Sequence, residues 1–371
     1  MSMRIAMLSW ESRYSIRCGG LAEHVTELGA ALRRRGHDVH VFTRIAPGQV
    51  RYDCIDGAHY HRCPFEPHAC FVTSTDRMCQ SFIARVAEVE KFYDRPFDVV
   101  HGYDWLSVRG LVAAKNDRRS RTVLTMHSTE FGRSGNQLFD GQSRTIRDVE
   151  WEGTHVADRV ICVSRALRDE VCRLYSVRDD KVSAVYNAVD VRRFDTHDDP
   201  DWVRRECRID DRGPVVVFLG RLTWQKGPDL LVEAVPGLLH YHPEAEFIFV
   251  GDGDMRPSLE GRTAALGAGC AVRFLGWREG PEAVALLNSA DVVCIPSRNE
   301  PFGIVVLEAW SARKPVVVTC NGGPAEFVRH GQTGLLVFVD KDSVGWGVGT
   351  ALADRREARR MGRNGRREAE T

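Results

Sequence analysis

No two of the eleven cysteines, at positions 18, 54, 63, 70, 79, 162, 172, 207, 270, 294 and 320, form a CxxC pair, and no zinc spacing repeats among them. With 371 residues available, a small disulfide-stapled fold is excluded, and the scattered thiols read as those of a reduced, cytosolic protein. Neither charge sign is in excess, since Lys+Arg and Asp+Glu both number 51, which removes the electrostatic argument for a dedicated nucleic-acid binder. No stretch approaches the roughly 18 uninterrupted apolar residues of a membrane helix. The opening segment MSMRIAMLSWESR is too short in apolar residues, and too broken by Arg4 and Glu11, for a signal-peptide core. Solenoid-period repeats and the dinucleotide fingerprint G-x-G-x-x-G are also missing.

What remains is an ordinary globular composition, 43% hydrophobic and 27% charged, on a chain long enough for two cores. Short runs rich in β-branched residues alternate with longer stretches of helical period, the signature of βαβ units whose strands are buried on both faces. In the first half the strands read as 5–9, 39–43, 98–101, 122–127, 159–164 and 181–186. Leu21, Val25, Leu28, Ala31 and Leu32 lie on one helical face, and Gly36 supplies the stop. Periodicity fails over 195–212, dense in charge and turn formers, and resumes with strands at 215–219, 246–250, 271–275, 292–296, 316–319 and 334–339. The fold class is therefore α/β, with two Rossmann-like parallel-sheet domains facing a central cleft: a first domain over 1–194, a linker over 195–212 and a second domain over 213–371 with a short basic tail.

Ligands in such sheets sit beyond the carboxyl ends of the strands, so the loops there hold the candidate residues. The first strand feeds a loop that ends in Cys18-Gly19-Gly20 and enters a helix, where unpaired N–H groups can meet an anion; a plain flexible turn fits these residues equally well. Gly220-Arg221-Leu222-Thr223-Trp224-Gln225-Lys226-Gly227 follows the first strand of the second domain and places two cations where they can clamp a diphosphate. Taken alone, a solvated pair of cations is the simpler reading. In Ser297-Arg298-Asn299-Glu300-Pro301-Phe302-Gly303-Ile304-Val305-Val306-Leu307-Glu308, Glu300 stands ahead of a helix and Glu308 about two turns into it, with Pro301 suited to a first turn. Two carboxylates so spaced can each accept sugar hydroxyls while the amides of 303–305 face a phosphate.

The Glu300-x7-Glu308 spacing, GRLTWQKG, GGLAEHVTELGAALRRRGHDVHVFT and NGGPAEFV together resemble the retaining GT-B glycosyltransferases of family 4, and the opening SWE and GGL segments resemble its glycogen-synthase-like branch. The resemblance covers nearly the whole chain. It implies a metal-independent hexosyltransferase that moves a sugar, glucose from UDP or ADP by preference, to a hydroxyl acceptor such as a glucan or a small sugar. No cofactor is implied beyond the nucleotide sugar as substrate. In this resemblance Gly19 and Gly20 touch the donor from the first domain, and Arg221 and Lys226 neutralise its diphosphate from the second. Glu308 holds the ribose, Glu300 the transferred sugar, and Phe302, Gly303, Ile304 and Val305 supply amides. His127 lines the sugar pocket, Trp277 and Arg278 fall where the base is held, and Glu326 lies near the diphosphate loop. The departing phosphate takes the acceptor proton in a front-face transfer. The family's long C-terminal helix crosses back onto the first domain; here the sequence reaches Thr371 soon after the basic tail begins, so that crossing is either trimmed away or abbreviated.

Read without the resemblance, His127 is an ordinary core histidine. Ser128 to Asn136 reads as a mobile acceptor-side loop carrying Glu130 and Arg133, and Asp104 and Trp105 point towards the cleft edge as further acceptor candidates. His59, His61, Cys63, His68 and Cys70 include an alternating HYHRC run that suits a strand, and no metal site is expected there. The arginines at 355, 356, 359, 360, 363, 366 and 367 read first as a solvated helix and second as peripheral contact with anionic lipid. A same-fold epimerase and a noncatalytic nucleotide-sugar-binding subunit are the rival functions.

Overall fold

Eight strands of the first unit are defined by the same alternation seen in the sequence: β1 (Arg4–Leu8), β2 (Asp38–Arg44), β3 (Tyr52–Ile55), β4 (Ala58–Cys63), β5 (Val99–Tyr103), β6 (Arg121–Met126), β7 (Arg159–Cys162) and β8 (Val182–Ala184). The second unit contributes β9 (Val215–Leu219), β10 (Glu246–Val250), β11 (Val272–Gly276), β12 (Val292–Ile295), β13 (Val316–Thr319) and β14 (Leu335–Val337). The computed structural model describes residues 2–118, 120–196, 203, 205 and 213–371. The strands order as β3-β4-β2-β1-β5-β6-β7-β8 in one sheet and β11-β10-β9-β12-β13-β14 in the other. Every pairing is parallel except β3 with β4, a hairpin added at one edge. Every residue of β1 and of β10 is buried, as both-face coverage by helices demands.

Both sheets reverse direction of growth next to their first strand, between β1 and β5 in one and between β9 and β12 in the other. Such a switch point splays the following loops apart and leaves a crevice at the carboxyl ends of the strands. The loops after β1, β5, β9 and β12 are therefore the ones that fold topology hands to a ligand.

The chain divides into compact units at 1–187 and 188–371. The short helix Val191–Phe194, given to the first domain by the sequence reading, belongs with the second because Phe194 is buried among Val215, Val217 and Trp310. Most of the expected linker at 195–212 lies outside the described residues. The expected strands are present with shifts of a residue or two, and β3, which the sequence reading passed over, completes the edge beside the alternating run of β4. The helix Gly20–Arg34 ends just before Gly36, whose φ of 85° confirms the stop.

The basic tail is a helix, Arg355–Ala369, capped by Asp354 and packed within the second unit. It is more than a solvated cylinder. Ala358, Met361, Gly362 and Gly365 are buried, Gly365 lies close against Trp310, and Arg366 is itself buried, bonding Ser311 O (2.5 Å), Val191 O (3.1 Å) and Asp195 (2.7 Å). Among the described residues no helix is long and apolar enough to cross a membrane.

Candidate active site

In the second unit the loop after β9 lies against the loop after β10 through backbone alone. Gly220 N donates to Val250 O (2.9 Å) and Leu222 N to Asp252 O (2.9 Å). Gly251 has φ 133°, and a Cβ there would lie 1.9 Å from Gly220 O, so only glycine permits the approach. This fixes the path of Arg221, whose exposed guanidinium lies 3.5 Å from Gln225 Oε1 and forms no ion pair among the described residues. Gln225 is buried and ties the segment to the loop after β12, donating to Asn299 O (3.2 Å) while its own carbonyl accepts from Arg298 N (2.8 Å).

Lys226 and Glu300 meet at the centre of this arrangement. Lys226 Nζ donates to Glu300 Oε2 at 2.7 Å, and Ser297 Oγ donates to the same oxygen at 3.0 Å. Glu300 is buried, and its backbone is gripped by the loop after β13: Gly323 N donates to Glu300 O (2.8 Å), and a Cβ on Gly322 would lie 2.1 Å from that oxygen. A second pair, Arg298 with both oxygens of Asp229 at 2.8 and 2.5 Å, stacks over Trp224 with the guanidinium 4.7 Å from the ring centre. The structure thus joins Arg221, Lys226 and Glu300, three of the residues singled out in the sequence, through Gln225 and Ser297, two that were not.

The helix that follows is Ile304–Ser311, with Gly303 at its N-cap in the left-handed region (φ 93°). Pro301 is therefore not a first-turn proline. It lies in the loop ahead of Phe302, which is buried against Phe327, and the helix begins only after Gly303 turns the chain. Glu308 is half-buried in the second turn, and Glu326 ends the short helix Gly323–Glu326 on the neighbouring loop. Trp277 and Arg278 follow β11 further along the sheet; Trp277 is 43% exposed with its indole N–H on Glu279 (3.3 Å), and Arg278 lies 3.6 Å from Glu282.

The first unit presents different chemistry. The loop after β1 turns back so that Glu11 accepts from the backbone N–H groups of Cys18 and of Gly19 (2.9 Å), just ahead of the helix starting at Gly20. Burial outweighs these bonds and raises the Glu11 carboxyl to about 7. After β5, Asp104 takes φ 53° and accepts from His127 N (2.7 Å); burial raises it to about 6. His127 follows β6, its ring 4.7 Å from that of His24, and burial lowers it to about 3, so it is neutral near pH 7. Its Nε2 is buried with no hydrogen-bond partner among the described residues. His101 donates to or accepts from Thr125 at 2.7 Å and is likewise held neutral by burial. Glu11, His24 and His101 escaped sequence reasoning because a lone Glu or His carries no spacing signal.

The remaining acceptor-side candidates are placed differently from the expectation. Trp105 is buried edge-on to Phe71 (5.5 Å). The stretch read as a loop folds instead into a short helix, Glu130–Arg133, capped by Thr129. Arg133 binds Glu150 (2.8 Å), Glu130 (3.1 Å) and Ser128 (2.7 Å), and Glu130 N donates to both oxygens of Glu150 (2.9 and 3.0 Å). A fully buried carboxylate needs such partners, and Tyr175 OH completes them.

Family models match the two units in turn: Glycosyltransferase Family 4 over residues 18–193 and Glycosyl transferases group 1 over 201–368. An uncharacterized glycosyltransferase of Methanocaldococcus jannaschii is 37% identical over 95% of this chain and 90% of its own length. The chain belongs to glycosyltransferase family 4. This family 4 glycosyltransferase is also 31% identical to the glycogen synthase of Mycobacterium tuberculosis, over 90% of this chain and 82% of that one. Anabaena HepE, solved in complex with UDP and glucose, superposes with a TM-score of 0.79 at 21% identity, covering 99% of this chain and 95% of its own, and establishes the GT-B fold.

Proposed function

We propose that this glycosyltransferase is a retaining hexosyltransferase that moves glucose from UDP- or ADP-glucose to a hydroxyl of a glucan or small sugar. The observation that carries the reading is the Lys226–Glu300–Ser297 cluster beside Arg221, which forms no ion pair among the described residues, at the switch point of the second sheet. A diphosphate leaving group needs fixed positive charge that costs no reorganisation as the bond breaks, and two cations anchored by neighbouring loops supply it. Glu300, held by its backbone and by Lys226, is aimed as an acceptor for sugar hydroxyls, and the amides of 303–305 meet phosphate oxygens at the helix start. Glu308 takes the ribose hydroxyls.

In this reading the bond between the anomeric carbon and the diphosphate oxygen breaks as the bond to the acceptor oxygen forms on the same face. The leaving phosphate takes the acceptor proton, and Arg221 and Lys226 carry the charge left behind. No metal takes part in that step. His127, uncharged near neutral pH with a ring nitrogen lacking a partner among the described residues, suits a neutral donor or acceptor to a sugar hydroxyl. The ten described cysteines, all free thiols, support a cytosolic setting, and neither nucleic acid nor membrane enters the reading.

A thermal-shift panel of UDP, ADP and GDP with their glucose and mannose conjugates tests it. At 100 times its dissociation constant a ligand adds about 2.7 kcal/mol, a readable rise in melting temperature. UDP or ADP and the matching glucose conjugate are expected to stand out; a panel in which no nucleotide shifts the transition overturns the reading.

A further inference from the structure

Towards the amino ends of the first sheet's strands, the parallel register of β2 on β4 sets His40 opposite His59, with Asp38 two residues earlier on the same face of β2. His40 Nε2 lies 3.3 Å from Asp38 Oδ1 and His59 Nε2 lies 3.8 Å from it, and one ligand atom from each of the three residues falls within 4.8 Å of the others. A tetrahedral ion with bonds of about 2 Å holds its ligands roughly 3.3 Å apart. The rings of His40 and His59 lie stacked, centroids 4.5 Å apart and 21° from parallel, so His59 turns out of the stack to bring its lone pair onto an ion shared with His40.

The ring nitrogens that face away are already engaged. His40 Nδ1 is 2.9 Å from His61 Nε2, and His59 Nδ1 is 2.8 Å from Tyr52 OH. Asp38 Oδ2 accepts from Arg4 Nε (3.2 Å), which leaves Oδ1 turned to the histidines. Outer partners on the remote nitrogens are the arrangement that orients imidazoles towards a metal. His40 is 1% exposed, and beyond the approach of Asp38 Oδ1 its Nε2 meets no hydrogen-bond partner among the described residues. The side chains of His59 and Asp38, 21% and 37% exposed, open the cluster to water on one side.

We propose that Asp38, His40 and His59 bind a divalent transition-metal ion of the zinc class, with water completing its coordination. Two imidazoles and one carboxylate suit borderline cations over calcium or magnesium. Binding through Nε2 fixes the His40 proton on Nδ1, where it donates to His61 Nε2. His61 then carries its own proton on Nδ1 and gives up the 3.4 Å contact from Arg85 Nε. The ion joins β2 to β4 at their amino ends, about 15 Å along the strand from the carboxyl-end loops, so it acts as a staple on the β3–β4 edge and stands outside sugar transfer.

The test is titration of the chelator-treated full chain with cobalt(II), read by its visible absorption, followed by displacement with zinc. One equivalent is expected with a spectrum of nitrogen and oxygen ligands. His59→Ala and Asp38→Asn, both on partly exposed side chains, each weaken binding at least tenfold, and Tyr52→Phe weakens it about tenfold through the ring it orients. Circular dichroism matching the parent confirms that the variants fold. Absence of stoichiometric binding, a thiolate-to-cobalt charge-transfer band, or unchanged affinity in both ligand variants overturns the proposal.

Discussion

Two sheets of nearly the same strand order end in loops of opposite electrostatic character. In the second unit the strand ends carry full charges held in pairs or left open, with Lys226 on Glu300, Arg298 on Asp229, and Arg221 exposed. In the first unit the same topological positions carry groups that burial drives towards their uncharged forms: Glu11 raised to about 7, Asp104 to about 6, His127 lowered to about 3. One scaffold therefore hosts two chemistries, and the difference resides in loop residues and their burial, not in the sheets. Fixed charge suits a nucleoside diphosphate, and dry uncharged groups suit a sugar hydroxyl.

The comparison breaks first at Lys226. Replacing it with Ala removes a fixed cation from the site proposed to stabilise leaving-group charge, and kcat/KM with the preferred nucleotide sugar is expected to fall about 10²- to 10³-fold with unchanged circular dichroism. Near-normal turnover would mean that the charged loops of the second unit are structural.

The first unit is tested at Glu11. Its carboxyl rises on folding from 4.5 to about 7, so folding takes up a proton. The stability supplied by the protonated form is fully present below about pH 4.5 and is lost as pH climbs through about 7. Glu11→Gln, uncharged throughout, is expected to exceed the parent at pH 8 by on the order of 2 kcal/mol and to match it near pH 4. Denaturant unfolding at both values measures the gap, and a gap of equal size at the two contradicts the assignment of an unfavourably buried charge.

The smallest effect sharpens what position means. Glu233 and Arg262 form a two-point pair on the outside of the second unit, away from the strand-end loops. Glu233→Gln is expected to change stability by less than about 0.5 kcal/mol and turnover not at all. A loss approaching that of the Lys226 variant would show that charge matters there wherever it is placed.

Much of the fold was legible because buried parallel strands leave β-branched runs that need no tertiary context. The paired sequence clusters around Lys226 and Glu300 were legible for a related reason, since each follows a strand directly. Gln225 was not, because it acts by bridging loops 74 residues apart in sequence, and Ser297 was not, because its bond to Glu300 depends on how their shared loop turns. Pro301 misled because left-handed Gly303 delays the helix start, and 128–136 misled because the distant Glu150 turns a polar stretch into a capped helix. His40 and His59 met only once the register of β2 on β4 was known, so the HYHRC run gave no hint of the neighbour across the strand.

The stereochemistry of transfer tests the front-face reaction most directly. With an α-linked nucleotide glucose as donor, the anomeric proton of freshly formed product, followed by nuclear magnetic resonance, is expected to report the α configuration before any equilibration. A β product would contradict front-face transfer and the roles assigned to Arg221, Lys226 and the leaving phosphate.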